Sequence, residues 1–557
     1  MVDVTHPGVG GFEHASSVRS AAHAGRQVGS GGREACHDGR MSETARDSHQ
    51  PPTDLLPGDD LRSLADAFRA ADFTVDAVAE RLGPQAMAAL GRNTTVAAVR
   101  ALGRQDDPQA SLLRLFVLQR ACREDAVRRA LGDWVDRLRT AGLIDVASGR
   151  VRAAVDIRPY GSDESVGLPV DGWLVSDHVP GLDGVVTPTR PDFVLGASSA
   201  SVTLARMTIR EPVGRALDLG AGCGVQSLHL AGHADRVVAT DLNSRALALA
   251  GLTLRLNGIA DRVERRYGSL WEPVAGERFD LIVSNPPYVI SPPEPASRRL
   301  VYRAGTLPAD RLVAEVVGGA VDHLAPGGTL QILGNWAHTA GCDWTERLAE
   351  WIRPTGCDAL VLQREVLDPH EYIELWLTDA GLAGSPAWLG RYADWLDYFD
   401  RLGIEAVGMG WIILHRAGHT EPTVRMEDWP HTVPGPVGPA LVVERRGVAA
   451  ARRADADLLE ARWRLVDCLQ ETYGAPGAAD PERIVIRQRS GFGRAVAVGT
   501  ELAAVLGACD GELPLGIIIA AVADLLDVPA ERREELRDGL LARFRGLLVD
   551  GFAEVVD

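Results

Sequence analysis

The stretch Phe279-Asp-Leu-Ile-Val-Ser-Asn-Pro-Pro-Tyr288 holds the residues with the clearest chemistry in this 557-residue chain. A β-rich run is stopped by two prolines, which fix a rigid, extended loop. The Asn285 amide oxygen and the Pro286 carbonyl are then held as two acceptors at the carboxyl end of a strand, where open α/β sheets bind ligands. An NH2 group can donate one proton to each, which turns its lone pair toward an incoming methyl carbon. The Tyr288 ring can stack on a planar target. A delocalised amide or exocyclic-amine nitrogen is a weak nucleophile, so positioning does most of the catalysis and no strong general base is required.

Two further stretches can hold a cofactor for that chemistry. Leu217-Asp-Leu-Gly-Ala-Gly-Cys-Gly224 reads as a strand entering a glycine turn. Gly220, Ala221, Gly222 and Gly224 bring backbone close to a ligand in conformations that other residues resist. The spacing is Gly-x-Gly-x-Gly; a dinucleotide fingerprint wants a glycine at 225, where Val stands. Asp218 would repel a pyrophosphate but suits the sulfonium and amino group of a methionine-derived cofactor. Arg236-Val-Val-Ala-Thr-Asp241 is a second strand that ends in an acid. Asp241 is placed to accept both ribose hydroxyl protons of an adenosine.

Short β-rich runs alternate with helical stretches over residues 185–418, the pattern of a doubly wound α/β sheet. The expected strands are Ala216–Leu219, Arg236–Thr240, Val263–Arg266, Leu281–Val283, Thr329–Leu333, Ala359–Leu362 and Gly410–Leu414. Seven strands make a Rossmann-like sheet, with the last returning as an edge hairpin. Tyr372, Trp376, Trp388, Tyr392, Trp395, Tyr398 and Phe399 crowd an insertion before the seventh strand. The helical spacing of Trp388, Tyr392, Trp395 and Phe399 favours a packed helix pair over a substrate lid.

Taken together and in this order, the three motifs resemble those of class I S-adenosylmethionine (SAM)-dependent methyltransferases. The closest local likeness is to release-factor glutamine methyltransferases and spans roughly Val186 to Asn335. The resemblance implies that Asp218, Gly220, Ala221, Gly222, Gly224, Asp241 and Asn285 bind SAM, and that Asn285, Pro286 and Tyr288 hold the target amide. Gly268-Ser-Leu-Trp-Glu-Pro273 is similar to a family segment whose acid contacts the adenine amine; Ser269 stands in place of that acid. Thr189-Arg-Pro-Asp192 is similar to an Arg-Pro segment that helps close the site. Asn-Pro-Pro-Tyr also occurs in enzymes that methylate adenine N6 and guanine N2, and Leu256-Asn-Gly-Ile259 resembles a phrase of small-domain ribosomal RNA methyltransferases. The motifs therefore imply an N-methyltransferase whose acceptor is a protein glutamine, or alternatively an RNA or DNA base. A non-catalytic SAM-binding regulator is disfavoured by the intact loop.

The flanks extend well beyond that likeness. Residues 1–55 are poor in large apolar side chains and read as a disordered tail, with a second start offered by Met41. Residues 56–180 read as a mainly helical domain with a wing-like ribbon. Its core stretch 61–155 carries 15 Arg against 11 acids, in a chain of formal net charge -18. Prolines at 422, 430, 434, 436 and 439 mark 419–450 as a linker. Residues 451–557 read as a winged-helix-like module, in which Arg483, Arg487, Arg489 and Arg494 are candidates for phosphate contact. Overall acidity favours a protein over a nucleic acid as macromolecular partner. Seven scattered cysteines without a Cys-x-x-Cys pair argue against disulfides and structural zinc and for a reducing cytoplasm. His370, between Asp368 and Glu371, lacks the second histidine that a metal site would want, so no metal is expected. Leu515 to Leu526 is too short to span a bilayer, and no signal-peptide core is evident.

Overall fold

The computed structural model describes residues 54–58, 60–162, 169–185, 189–293, 307–433, 435–475 and 481–556. The tail expected at 1–55 lies outside them except for Asp54 and Leu55. Those two are already engaged: Asp54 pairs with Arg265 at 2.8 Å, and Leu55 packs on the N-terminal core.

Helices dominate the N-terminal part. A short strand, β1 (Cys122–Arg123), is followed by helices Glu124–Leu131 and Trp134–Thr140 and a hairpin of β2 (Ile144–Ala147) and β3 (Arg150–Ala153). The three strands form a sheet of order β1-β3-β2. A second hairpin, β4 (Asp156–Gly161) with β5 (Asp171–Ser176), leads into the central domain. This part is not a separate globule. Its core takes in Cys223, Val225, Leu249 and Leu252 of the next domain. The edge of β5 is closed by that domain as well: Trp173 N–H donates to Asn257 Oδ1 at 3.0 Å, and Val175 N–H to Thr253 Oγ1 at 3.1 Å.

The central sheet has eight strands: β6 (Val213–Leu219), β7 (Ala234–Asp241), β8 (Val263–Tyr267), β9 (Phe279–Ser284), β10 (Leu324–Thr339), β11 (Asp358–Leu367), β12 (Ile404–His415) and β13 (Val424–Asp428). Their order is β13-β11-β12-β10-β9-β6-β7-β8. Neighbouring residues of one strand fall into different cores. Ala216, Val237 and Leu281 join one cluster, while Leu217, Val238 and Ile282 join another, so both faces are covered.

Two expectations are corrected here. The seventh strand is not an edge: β12 lies between β10 and β11, antiparallel to both. Its run Trp411–Leu414 is apolar on both faces, which suits a central strand. The stretch 419–450 is not simply a linker. It supplies β13, an eighth strand parallel to β11, and the helix Gly438–Ala450, whose Leu441 and Val442 are buried against the sheet. The prolines mislead because Pro422 and Pro430 flank the strand, and Pro439 sits in the first turn of the helix, where a missing N–H costs nothing.

Between β11 and β12, helices Pro369–Asp379 and Trp388–Leu402 pack around buried Tyr372, Trp395 and Phe399, as a helix pair. Asp368 caps the first of them through the His370 and Glu371 N–H groups, which is the local role of that His-flanking acid. The C-terminal part pairs β14 (Arg462–Leu465) with β18 (Asp510–Pro514) and β19 (Ala553–Val556), and forms a separate sheet from β15 (Cys468–Tyr473), β16 (Arg483–Gln488) and β17 (Ala495–Val498). Arg494 is not available to a phosphate. It is buried, donating to Glu444 at 2.9 Å and Glu427 at 2.7 Å. Arg487 in turn pairs with Glu471. Among the described residues no helix is long and apolar enough to cross a membrane, and the six described cysteines carry free thiols.

Candidate functional site

At the carboxyl ends of β6, β7 and β9 the chain leaves a cavity lined by Leu219–Cys223, Thr240–Asn243, Gly268–Leu270 and Ser284–Pro287, with Phe193–Gly196 and Ser201 from the preceding segment. This is the point where the strand order reverses, because the chain steps outward from β6 to β7 and later returns to β9 on its other side. Ser284 Oγ donates to the Leu219 carbonyl at 2.7 Å and locks the two central strand ends together.

The glycine turn and the acid form one hydrogen-bonded unit. Gly222 has φ 55° and donates its N–H to Asp241 Oδ2 at 2.9 Å. Asp241 Oδ1 accepts from Asn243 N–H at 2.7 Å. Each carboxylate oxygen keeps a further lone pair, so the group fits a pair of ribose hydroxyls. Burial pushes the Asp241 carboxyl above its usual range, while the backbone N–H groups pull the other way. Ser269 lies beside it in the lining, because Gly268 N–H donates to the Asp241 carbonyl at 3.2 Å.

Asp218, expected at the cofactor, is behind the wall instead. It is buried, accepts from Ser227 Oγ at 2.6 Å, and is outside the cavity lining. Burial raises its pKa to about 7. Gly224 is also outside the lining. With φ 88° it starts the helix Val225–Leu230, and a Cβ there would stand 3.4 Å from that of Ala250, so its role is close helix packing.

The Asn-Pro-Pro-Tyr loop divides in the same way. Asn285, Pro286 and Pro287 line the cavity. Asn285 Oδ1 is buried and has no hydrogen-bond partner among the described residues. The Tyr288 ring lies outside the lining and meets Trp376 edge-to-face at 6.5 Å, so the ring expected to stack on a target packs against the helix pair. The loop's exit is pinned by Ile290 N–H donating to Tyr372 Oη at 2.9 Å, and the same hydroxyl accepts from Asn335 Nδ2 at 2.9 Å.

Several residues that line the cavity or brace its wall were not singled out from the sequence. Asp177, just past β5, accepts from Val194 N–H at 2.9 Å and is gripped by the Arg245 guanidinium, Nε at 3.1 Å. It thereby ties the Phe193–Gly196 wall to the helix Ser244–Leu256, which follows Asp241. Asn243 Nδ2 adds a bond to the Asp192 carbonyl at 2.9 Å, placing the Arg-Pro segment at this wall. Gln226 also lines the cavity; its Nε2 donates to the Ser201 carbonyl at 2.7 Å. No sequence motif marks these residues, because their partners are 17 to 68 positions away. Among the described residues there is no group of three or more His, Cys, Asp or Glu able to hold a metal ion.

The family model "Methyltransferase small domain" matches residues 197–341, and "Domain of unknown function (DUF7059)" matches residues 70–154. A release factor glutamine methyltransferase of Geobacter sulfurreducens is 31% identical over 242 residues, 37% of this chain and 83% of that protein. A ribosomal protein uL3 glutamine methyltransferase of Bradyrhizobium diazoefficiens is 35% identical over 127 residues, 21% of this chain and 40% of that protein. A ribosomal RNA small subunit methyltransferase C of an Enterobacter species is 31% identical over 158 residues, 28% of this chain and 41% of that protein. Apart from the Geobacter protein, the chain spans about half or less of the length of these relatives, as with the 52% of a Xylella fastidiosa release factor glutamine methyltransferase. A solved methyltransferase from Pyrococcus furiosus, 15% identical, covers 39% of this chain and 83% of its own at a TM-score of 0.25. That score is low, and the fold is read from the strand order itself.

Proposed function

Since this chain belongs to the class I SAM-dependent methyltransferases, we propose that it methylates an amide or exocyclic-amine nitrogen, and that the acceptor is a glutamine side chain of a protein. The carrying observation is Asn285 Oδ1, a buried acceptor without a partner at the edge of the cofactor cavity. Leaving a buried carbonyl unpaired costs about 1–3 kcal/mol, a cost that a donating NH2 group removes. Bound SAM supplies an electrophilic methyl group on a sulfonium.

Asp241 and the glycine turn hold the adenosine end on the β7 side. Asn285 and the Pro286 carbonyl accept the two protons of the target nitrogen on the β9 side. Their pull strengthens as positive charge builds on that nitrogen, which is the differential binding that raises a rate. Buried Phe193, Val194, Leu312 and Val316 in the lining exclude water from the transfer. A protein acceptor is supported by the glutamine methyltransferase relatives and by the chain's acidity.

A second reading, an RNA base as acceptor, is favoured by one observation. The β1–β3 part has the order strand, helix, helix, hairpin and lies in a stretch with four more Arg than acids, while the chain as a whole is acidic. We read that part and the C-terminal β14–β18–β19 unit as winged-helix-like docking modules, and place the protein in the cytoplasm.

The test is to incubate the purified chain with cell lysate and methyl-labelled SAM, then treat with protease or RNase. Label released by protease, with an increment of about 14 daltons on a glutamine when unlabelled SAM is used (a methyl group replacing a hydrogen) by peptide mass spectrometry, is expected. Label released by RNase alone transfers the assignment to a base.

A further inference from the structure

The half of the cavity away from Asp241 must hold the amino-acid end of the cofactor, and its chemistry is sparse. Among the described lining residues Asp241 is the sole ionisable acid, and it is committed to the β7 side. An α-ammonium group entering the other half needs acceptors from elsewhere.

Gln226 is in place to provide one. It sits in the second position of the helix Val225–Leu230, directly after the glycine turn, and is 5% exposed. Its Nε2 donates to the carbonyl of Ser201, in the helix Ser199–Met207. A backbone carbonyl can only accept, so this bond fixes which end of the amide is which. Oε1 is therefore the end left over, and it is buried with no hydrogen-bond partner among the described residues. The direction is also fixed by the fold. Ser199–Met207 packs on β10 and on the helix that carries Gln226. The Gln226–Ser201 bond thus lies on the β9–β10 flank of the glycine turn, opposite the ribose-binding acid. Ser201 and Gln226 both line the cavity.

We infer that Gln226 is a cofactor-binding residue whose Oε1 accepts a hydrogen bond from the α-ammonium group of SAM, with the Ser201 carbonyl holding the amide in that orientation. A neutral amide accepts from the ammonium without introducing a second carboxylate beside Asn285. The target nitrogen there must stay free to donate to Asn285 rather than be drawn to a stronger acceptor. This inference rests on the cofactor alone and is independent of which polymer carries the acceptor nitrogen.

The test is calorimetric titration of the full chain with three ligands: SAM, S-adenosylhomocysteine and 5′-methylthioadenosine, which lacks the amino-acid moiety. For Gln226→Met, close to glutamine in length, the affinity for SAM and S-adenosylhomocysteine is expected to fall about tenfold, the scale of one charged hydrogen bond, with that for methylthioadenosine unchanged. A parallel loss for all three ligands would show a merely structural residue and overturn the assignment, and so would unaltered SAM affinity. Gln226→Leu provides the same three-ligand comparison should the Met variant not fold. Failure of the parent chain to methylate a glutamine would overturn the proposed acceptor and leave this three-ligand comparison standing.

Discussion

The two flanks of the cavity are built on opposite principles. On the β7 side the glycine turn and the acid are already bonded within the protein: Gly222 N–H to Asp241, Asn243 N–H to Asp241, and Gly220 N–H to the Thr240 carbonyl at 2.9 Å. On the β9 side two buried acceptors, Asn285 Oδ1 and Gln226 Oε1, have no partner among the described residues. The first flank is a scaffold that exists without ligand. The second carries unmet hydrogen-bonding capacity, which the proposed contacts to the target nitrogen and the α-ammonium group would meet.

The sharpest way to break that contrast is Asn285→Ala. Turnover is expected to fall about 100-fold, the usual effect of deleting one preorganised polar partner. SAM affinity should be unchanged and thermal stability should not fall, since no internal bond is lost. Single-turnover assays with calorimetry and thermal melts check it, and near-full methyl transfer would make the loop a structural turn. Asp241→Ala tests the other flank. It removes the proposed ribose acceptor and also strands the Gly222 and Asn243 N–H groups, so it should weaken SAM binding by about 1.5–3 kcal/mol and lower the melting temperature as well. Loss of binding without loss of stability would mean that the β7 flank is no scaffold.

The smallest effect on methyl transfer is expected at Asp218, behind the glycine turn, where the change is in stability. Its pKa stands near 7 in the folded chain against an ordinary 3.8, because burial penalises the charge. Below the ordinary value the group is protonated whether folded or not, and it costs nothing. As pH rises toward 7 the unfolded chain gives up the proton first, so stability is lost across that window and the penalty is constant above it. Asp218→Asn keeps an acceptor for Ser227 and removes the penalty. It should nearly match the parent near pH 4 and exceed it by up to about 4 kcal/mol at pH 8. Denaturant melts at both pH values measure this, and an equal difference at both would disprove the titration.

Much of the site could be read from the sequence because it is local. Gly-x-Gly-x-Gly, the acid ending the second strand, and Asn-Pro-Pro are each confined to a few residues whose backbone restrictions are intrinsic, and Asn285, Pro286, Gly220, Ala221, Gly222, Asp241 and Ser269 all line one cavity. Asp218 and Tyr288 read the same way yet lie outside that lining. Their residue types suit a ligand, but side-chain direction from a strand end or loop depends on what packs behind it: Ser227 for one and Trp376 for the other. The strand β13 escaped notice because prolines flank it, and β12 was assigned to the edge because hydrophobic pattern gives a strand's burial but not its neighbours.

The sequence by itself determined the strand-turn-helix units, the kind of cofactor and the nitrogen-directed loop, since each depends on backbone geometry within one turn of chain. Only the tertiary structure decided the insertion of β12 between β10 and β11, the joining of Asp177 to Val194 and Arg245, and the two acceptors left unpaired on the β9 flank. Whether a polar atom is satisfied depends on partners brought from distant positions by packing, and no local pattern encodes that sum.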